Sequence, residues 1–437
     1  MLLSHPQALQ ALKASQHELE QLEQSLFALE KIENKQSEKL NHLWERAVTA
    51  PYYKHLASSK PEQFSELPVT PKSIVKKQPE LFLAKGQHLK YYESSGTSGI
   101  PTATPRLAED IVWNTVSVVS CWKRILQQDD KVATLLPSDI SPVGDLISNV
   151  CEYLGICMVR CYPFALGISD WNRVEQLFRR YKPTCLFVAP GVLLQLMRVL
   201  KQRKSFAGIK ESISKIMLLG EVSTSGLKQM LAKNWEAIVY DVSYGSTETG
   251  TIAAACEDQQ LHVLAHSFIL EIDDGFQILP LKPGLKGELV VTTLNNYARP
   301  LLRYATGDLV EITLGSSQTK DLHLPVLKVL GRKDEKIRIK EVALNIEMLE
   351  SQIYQVPGIT GYMIEMDKSG QRAKLLLEKD IDFPSEREQQ TTEILAKAFS
   401  EQGVDWDDTH LLNQLPTITK SGGGQKNWKK TNLRIVA

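Results

Sequence analysis

Three short stretches carry residue types suited to handling a nucleotide. The first is Glu93-Ser94-Ser95-Gly96-Thr97-Ser98-Gly99-Ile100-Pro101-Thr102, dominated by Ser, Gly and Thr. Small residues let a backbone wrap a phosphate group, and hydroxyls add hydrogen-bond donors. It is not a Walker loop, because no Gly-Lys-Ser/Thr follows at the required spacing, and an ordinary turn-rich loop has the same composition. The second is Asp241-Val242-Ser243-Tyr244-Gly245-Ser246-Thr247-Glu248-Thr249-Gly250. An aromatic ring can stack on a base, and a nearby hydroxyl and carboxylate suit phosphate and Mg²⁺, which prefers oxygen ligands. The third is Tyr304-Ala305-Thr306-Gly307-Asp308, where a carboxylate on a tight turn can accept both hydroxyls of a ribose. Each alone also reads as a strand ending in a turn. Their order along one chain is the stronger signal.

The elements that must position these stretches follow from hydrophobic patterning. Between about 85 and 330, short apolar runs such as Val132–Leu136, Cys185–Ala189 and Lys215–Leu219 read as buried strands. Helical stretches such as Trp171–Tyr181 and Gly191–Lys201 alternate with them. That alternation predicts an α/β domain with largely parallel sheets. After Leu281, Gly284, Gly287 and the run Glu288–Thr293 point to a more antiparallel β subdomain. The last hundred residues read as a small α+β domain: a lead-in from Arg338 to a helix near Leu349, strands over Ile359–Glu365 and Arg372–Leu377, and a helix over Glu386–Glu401. The expected division is a large domain over 1–331 and a small mobile one over 332–437. Residues 8–46 lack Pro and Gly, and Leu12, Leu19 and Leu26 repeat every seven, with Leu22 and Leu29 between. This predicts one amphipathic helix packed on its own domain, with a coiled-coil contact as the sharper alternative.

The ordered set resembles the acyl-adenylate-forming ligases, which include acyl-CoA synthetases, firefly luciferase and the adenylation domains of peptide synthetases. Within them it is most similar to the phenylacetate–CoA ligase and coenzyme F390 synthetase branch, in its short length, in Ala50-Pro51-Tyr52-Tyr53 after an N-terminal helix, and in the Ser-Ser-Gly-Thr-x-Gly-x-Pro-Thr loop. The resemblance implies activation of a carboxylic acid, aromatic in that branch, by ATP and Mg²⁺, then transfer to a thiol of CoA or of a pantetheine-bearing carrier protein. It implies that Ser95, Gly96, Thr97, Ser98 and Gly99 form a phosphate loop and that Gly220, Glu221 and Val222 line the adenine and acyl pockets. Tyr244, beside Gly245, would stack on adenine, Thr247 would touch the α-phosphate and Glu248 would hold Mg²⁺. Asp308 would bind the ribose with help from Arg332. Gly331-Arg332-Lys333-Asp334 resembles the hinge, with Asp334 as pivot. The required C-terminal lysine falls on Lys426, in Gln425-Lys426-Asn427-Trp428-Lys429, with Lys420 as the rival. Lys340-Glu341-Val342 departs from the pattern, which has glycine at the position of Glu341, beside the thiol tunnel. That departure raises a carrier-protein thiol as an alternative to CoA. It also leaves a second reading of Glu341 as a solvated helix-start residue. A nucleotide-binding sensor without catalysis is the competing function, disfavoured by Glu248, Asp308 and Lys426 occurring together.

The remaining features narrow the class. The 437 residues exceed one typical core. Lys plus Arg and Asp plus Glu both number 51, a balance unlike a nucleic-acid binder, so nucleotide affinity must be local. No run of about 18 apolar residues and no signal-peptide pattern is visible, which fits a cytoplasmic protein, monomer or homodimer. The six cysteines form no Cys-x-x-Cys pair and read as reduced thiols, with Cys151, Cys157 and Cys161 in the core. Cys256, His262 and His266 offer a loosely spaced zinc set; the alternative is a core cysteine with surface histidines.

Overall fold

The buried runs form a five-stranded sheet in the order Cys157–Arg160, Lys131–Thr134, Cys185–Val188, Lys215–Leu218, Ile238–Asp241. The registers joining Lys131–Thr134, Cys185–Val188 and Lys215–Leu218 are parallel. Every residue of Cys185–Val188 is buried, as expected of a central strand covered on both faces. The helices Trp171–Tyr181 and Pro190–Gln202 occupy the expected positions. Cys157 starts an edge strand and is exposed, unlike the other five cysteines. The expectation that it joins the core is corrected on that ground.

This computed structural model describes residues 5–58, 64–94, 101–165, 167–221, 223–315, 322–333, 338–416 and 432–436. The chain divides into two units, one of Met1–Asp130, Pro137–Cys157 and Asp241–Asp334, the other of Lys131–Leu136, Met158–Tyr240 and Glu335–Ala437. The second unit holds the parallel sheet and a four-stranded sheet ordered Asp408–Leu412, Ala373–Lys379, Ile359–Asp367, Leu433–Val436. In it the helix Ile346–Gln355 lies against Ser225–Trp235 at Gly226. A Cβ there would stand 2.7 Å from the Glu350 carbonyl oxygen. Beside that contact the buried Glu350 carboxylate accepts hydrogen bonds from Thr224 and, at 2.8 Å, from the Tyr362 hydroxyl.

The first unit is built on an eight-stranded antiparallel sheet, ordered Ile278–Pro280, Phe268–Asp273, Lys286–Thr293, Tyr304–Thr313, Val326–Arg332, Leu261–Val263, Gly250–Ala255, Ser243–Ser246. Its N-terminal segment is two helices, Pro6–Gln24 and Leu29–Ala47, not the single helix expected. Leu26 and Phe27 take left-handed backbone angles between them. Phe27 is fully buried, and its N–H donates to Leu22 O at 2.7 Å. Burying that ring and closing the helix end this way offset the cost of the left-handed residues. Leu19 and Leu22 are buried, and the first helix packs on Ala108–Trp122 of its own unit.

Asp110 joins that helix to the segment before the third chemical stretch. Its carboxylate accepts from the amides of Leu107 at 2.8 Å, Tyr297 at 2.7 Å and Ala298 at 3.2 Å. Burial pushes this carboxyl up to about 6, opposed by Arg106 and those amides. Asp110→Ala strands three buried donors at roughly 1 kcal/mol each or more, so urea unfolding is expected to report a loss of about 3 kcal/mol. A loss below about 0.5 kcal/mol, the size of an ordinary surface change, would contradict this.

Candidate active site

The strands Lys90–Glu93 and Ala103–Arg106 pair antiparallel, with Glu93 opposite Ala103, so residues 94–102 are the connection of a hairpin. Its base is closed twice: Ser94 N–H donates to Thr102 O at 3.0 Å, and Thr102 N–H to Ser94 Oγ at 2.8 Å. Asp145 anchors the incoming strand through Lys90 at 2.6 Å and the Tyr92 hydroxyl at 2.7 Å. Ser95, Gly96, Thr97, Ser98 and Gly99 lie outside the described residues, as do Val222, Asp334, Lys420 and Lys426.

The second stretch is a hairpin of Ser243–Ser246 with Gly250–Ala255. Gly245 is dictated by space, since a Cβ there would stand 2.2 Å from Gly250 O. Ser246 and Thr249 close the turn between them: Ser246 N–H donates to Thr249 Oγ1 at 3.2 Å and Thr249 N–H to Ser246 Oγ at 3.2 Å. The turn's backbone is clamped from outside. Buried Arg106 donates to Thr247 O at 2.7 Å, and Asn296 donates to Glu248 O at 3.0 Å. With their carbonyls held, Thr247 and Glu248 are fixed in place while their side-chain oxygens stay uncommitted. Glu248 is buried, and its carboxylate takes no hydrogen bond or ion pair among the described residues. An anionic oxygen ligand so placed suits Mg²⁺, which uses one or two carboxylates together with substrate phosphates. No group of three or more His, Cys, Asp or Glu side chains that could hold a metal occurs among the described residues.

Asp308 comes from another strand of the same sheet, four places along from Ser243–Ser246. In a flat sheet four strand spacings span about 19 Å. The Tyr244 hydroxyl nevertheless donates to Asp308 Oδ2 at 2.8 Å, so the sheet curls to bring the second and third stretches together. Burial and the adjacent Asp308 carboxylate push the Tyr244 hydroxyl well above the ordinary phenol range, which keeps it a donor. Arg332, opposite Asp308 in register, lies 3.5 Å from its other oxygen. Gly307 has φ +75°, and its N–H donates to Glu288 at 3.1 Å. Gly307 and Asp308 lie within the strand Tyr304–Thr313, where its pairing register shifts, not on the tight turn expected, and Lys72 donates to Thr306 O. Burial lowers its pKa, with Asp308 opposing.

In the other unit, Gly220 and Glu221 follow the strand Lys215–Leu218. They stand at a carboxyl end of the doubly wound sheet, where ligands of such sheets bind. Gly220 has φ +89°, and Gly191 N–H donates to Glu221 at 3.4 Å. His262 is buried with Nε2 3.0 Å from Asp258, and His266 is buried and pushed down to about 3 by burial. The expectation of surface histidines is corrected accordingly.

Glu341 sits on the turn between Arg338–Ile339 and Val342–Ala343. The next helix starts after the cap residue Asn345, so the helix-start reading of Glu341 is withdrawn. Arg106, Asn296 and Lys72 were not singled out from sequence. They act across 141, 48 and 234 residues respectively, and no local pattern marks them.

No protein-family model matches the chain. The chain is 23% identical over 293 residues to phenylacetate-coenzyme A ligase of Escherichia coli, covering 65% of this chain and 64% of that protein. It therefore spans just under two thirds of that relative's length. It is 25% identical over 381 residues to phenylacetate-coenzyme A ligase of Thermus thermophilus, covering 82% and 83% of the two chains. Among solved structures, 2-hydroxyisobutyryl-CoA ligase in the postadenylation state with 2-HIB-AMP superposes with a TM-score of 0.78 at 17% identity, over 94% of this chain and 90% of that one. At that identity the likeness concerns the fold. No helix among the described residues is long and apolar enough to cross a membrane.

Proposed function

We propose that this chain, which belongs to the acyl-adenylate-forming ligases in their phenylacetate–CoA ligase-like branch, activates a carboxylic acid with ATP and passes the acyl group to a thiol. The observation that carries the reading is the meeting of Tyr244, Asp308 and Arg332 on the unit that also fixes Glu248 with its carboxylate uncommitted. One end offers a ring and a ribose acceptor; the other offers an anionic oxygen for a metal–phosphate group. In this reading Ser95 to Gly99 cradle phosphate, Gly220, Glu221 and Val222 border the adenine and the acyl group, and Thr247 donates to the α-phosphate. Mg²⁺ bound at Glu248 supplies charge neutralisation.

In the first step a carboxylate oxygen of the acid attacks the α-phosphorus, the bond to the bridging oxygen breaks, and pyrophosphate leaves with the electron pair. Both reactants are anionic, so Lys426 is assigned to the charge that builds in the transition state. In the second step a thiolate sulfur attacks the acyl carbon and AMP leaves. The two steps need different groups, which motivates a small domain over 332–437 turning about Asp334. The acid is expected to be aromatic, as in the named relatives. The measurement is AMP and pyrophosphate formation across a panel of aromatic and small hydroxy acids, each with and without CoA. AMP formation dependent on one acid class supports the reading; none with any acid, by protein that binds ATP, supports the sensor instead.

The acceptor is addressed at Glu341. A carboxylate on an exposed turn where the branch has glycine narrows a thiol passage. Its charge is screened over about 8 to 10 Å at physiological salt, so the steric effect dominates. Glu341→Gly is expected to speed CoA acylation while leaving pyrophosphate release unchanged. Fast CoA acylation by the unaltered chain would overturn this and favour CoA over a carrier protein as the acceptor.

A further inference from the structure

Arg299 is fully buried, yet only part of its guanidinium is satisfied. Nη1 donates to Ala103 O at 2.7 Å, while Nε and Nη2 have no hydrogen-bond partner among the described residues. A guanidinium carries five N–H donors in a rigid fork and stays charged in proteins. Burying one with an open edge is unfavourable unless an acceptor completes it. Burial lowers its pKa only to about 10, with the neighbouring Glu248 carboxylate opposing the shift, so the positive charge persists at neutral pH.

The surroundings say where that acceptor belongs. Ala103 opens the strand that leaves the Ser94–Thr102 connection. The same strand carries Arg106, which grips Thr247 and Glu248 by their carbonyls. Asn296, three residues before Arg299, holds Glu248 O from the other side. Arg299 therefore lies between the strand that begins at Ala103 and the Glu248 turn. Thr102 Oγ1, a hydroxyl able to donate, is buried beside Ala103 and also lacks a partner. An open guanidinium edge with an unpaired hydroxyl nearby presents only donors, a set that suits an anion.

We propose that Arg299 is a nucleotide-binding residue whose open Nε–Nη2 edge donates to the terminal phosphates of ATP. The assignment rests on the adenylating function proposed above and adds a residue outside its recognised motifs. It makes Arg299 a discriminator between ATP and AMP: the triphosphate engages the fork and the monophosphate does not. After pyrophosphate departs, that contact departs with it.

The test is calorimetric titration of the full chain with Mg²⁺ and ATP, and separately with AMP, for the wild type, Arg299→Met and Arg299→Lys. Hydrogen bonds to charged groups are worth tenfold or more in affinity. Arg299→Met should weaken ATP binding by about tenfold or more while changing AMP binding less than about twofold. Arg299→Lys, which keeps the charge but not the fork, should fall between. A purely structural Arg299 would instead lower both affinities together or change only the melting temperature, and an unchanged ATP-to-AMP ratio in Arg299→Met overturns the proposal. If Arg299→Met does not fold, an Arg299→Lys protein with the wild-type ratio overturns it. Wild-type protein that binds neither nucleotide sinks the adenylation reading and this inference with it; a wild type that binds both confines any failure to Arg299.

Discussion

Glu248→Gln should cut acid-dependent pyrophosphate release about 100-fold, equivalent to about 2.7 kcal/mol of transition-state stabilisation. The substitution keeps the shape of the side chain and removes its charge. The backbone of residue 248 is held by Arg106 and Asn296 through its carbonyl, so the turn should keep its form and the melting temperature should hardly move. The lost function is the anionic oxygen at this position. Raising Mg²⁺ should recover part of the rate. A Glu248→Gln protein within threefold of wild type, at low Mg²⁺, would place the metal elsewhere.

Lys426→Ala should lose the adenylating step by two orders of magnitude or more, again about 2.7 kcal/mol or more, because an ammonium beside the attacked phosphorus acts mainly on the charged transition state. Transfer from a preformed acyl-adenylate to a thiol should be nearly unaffected, since that step builds no charge at phosphorus. The split between half-reactions is the informative readout, because a destabilised chain would lose both. Lys420→Ala giving the split in place of Lys426→Ala would shift the motif by six positions. Equal loss of both half-reactions would remove Lys426 from the chemistry.

What the sequence disclosed, and what it did not, follows from the range of the interactions involved. Periodicity is local, so the strands Cys185–Val188 and Lys215–Leu218 and the helix Trp171–Tyr181 were legible. Gly245 and Gly307 stand within strands, where a close approach of Gly250 O and a φ of +75° respectively call for glycine. The break at Leu26–Phe27 was not legible, because neither residue is a helix breaker. The burial of Phe27 beside His266, with ring centroids 6.2 Å apart, decides it, and that partner is far away in sequence. The curl that joins Tyr244 to Asp308 was equally hidden. Each stretch suggested a nucleotide contact alone, while their direct hydrogen bond depends on four intervening strand pairings. Arg299 carried no signal at all: in Tyr297-Ala298-Arg299-Pro300 it reads as an ordinary surface arginine, and only its complete burial and open donors mark it.

An acyl-adenylate mechanism requires that the acid attack the α-phosphorus of ATP before any thiol takes part. Exchange of labelled pyrophosphate into ATP, measured with a panel of carboxylic acids and no thiol, reads that step alone. The expected result is exchange that requires both a suitable acid and Mg²⁺ and proceeds without CoA. Exchange that appears only when CoA is added, or consumption of ATP to ADP and phosphate with the same acids, would contradict an acyl-adenylate.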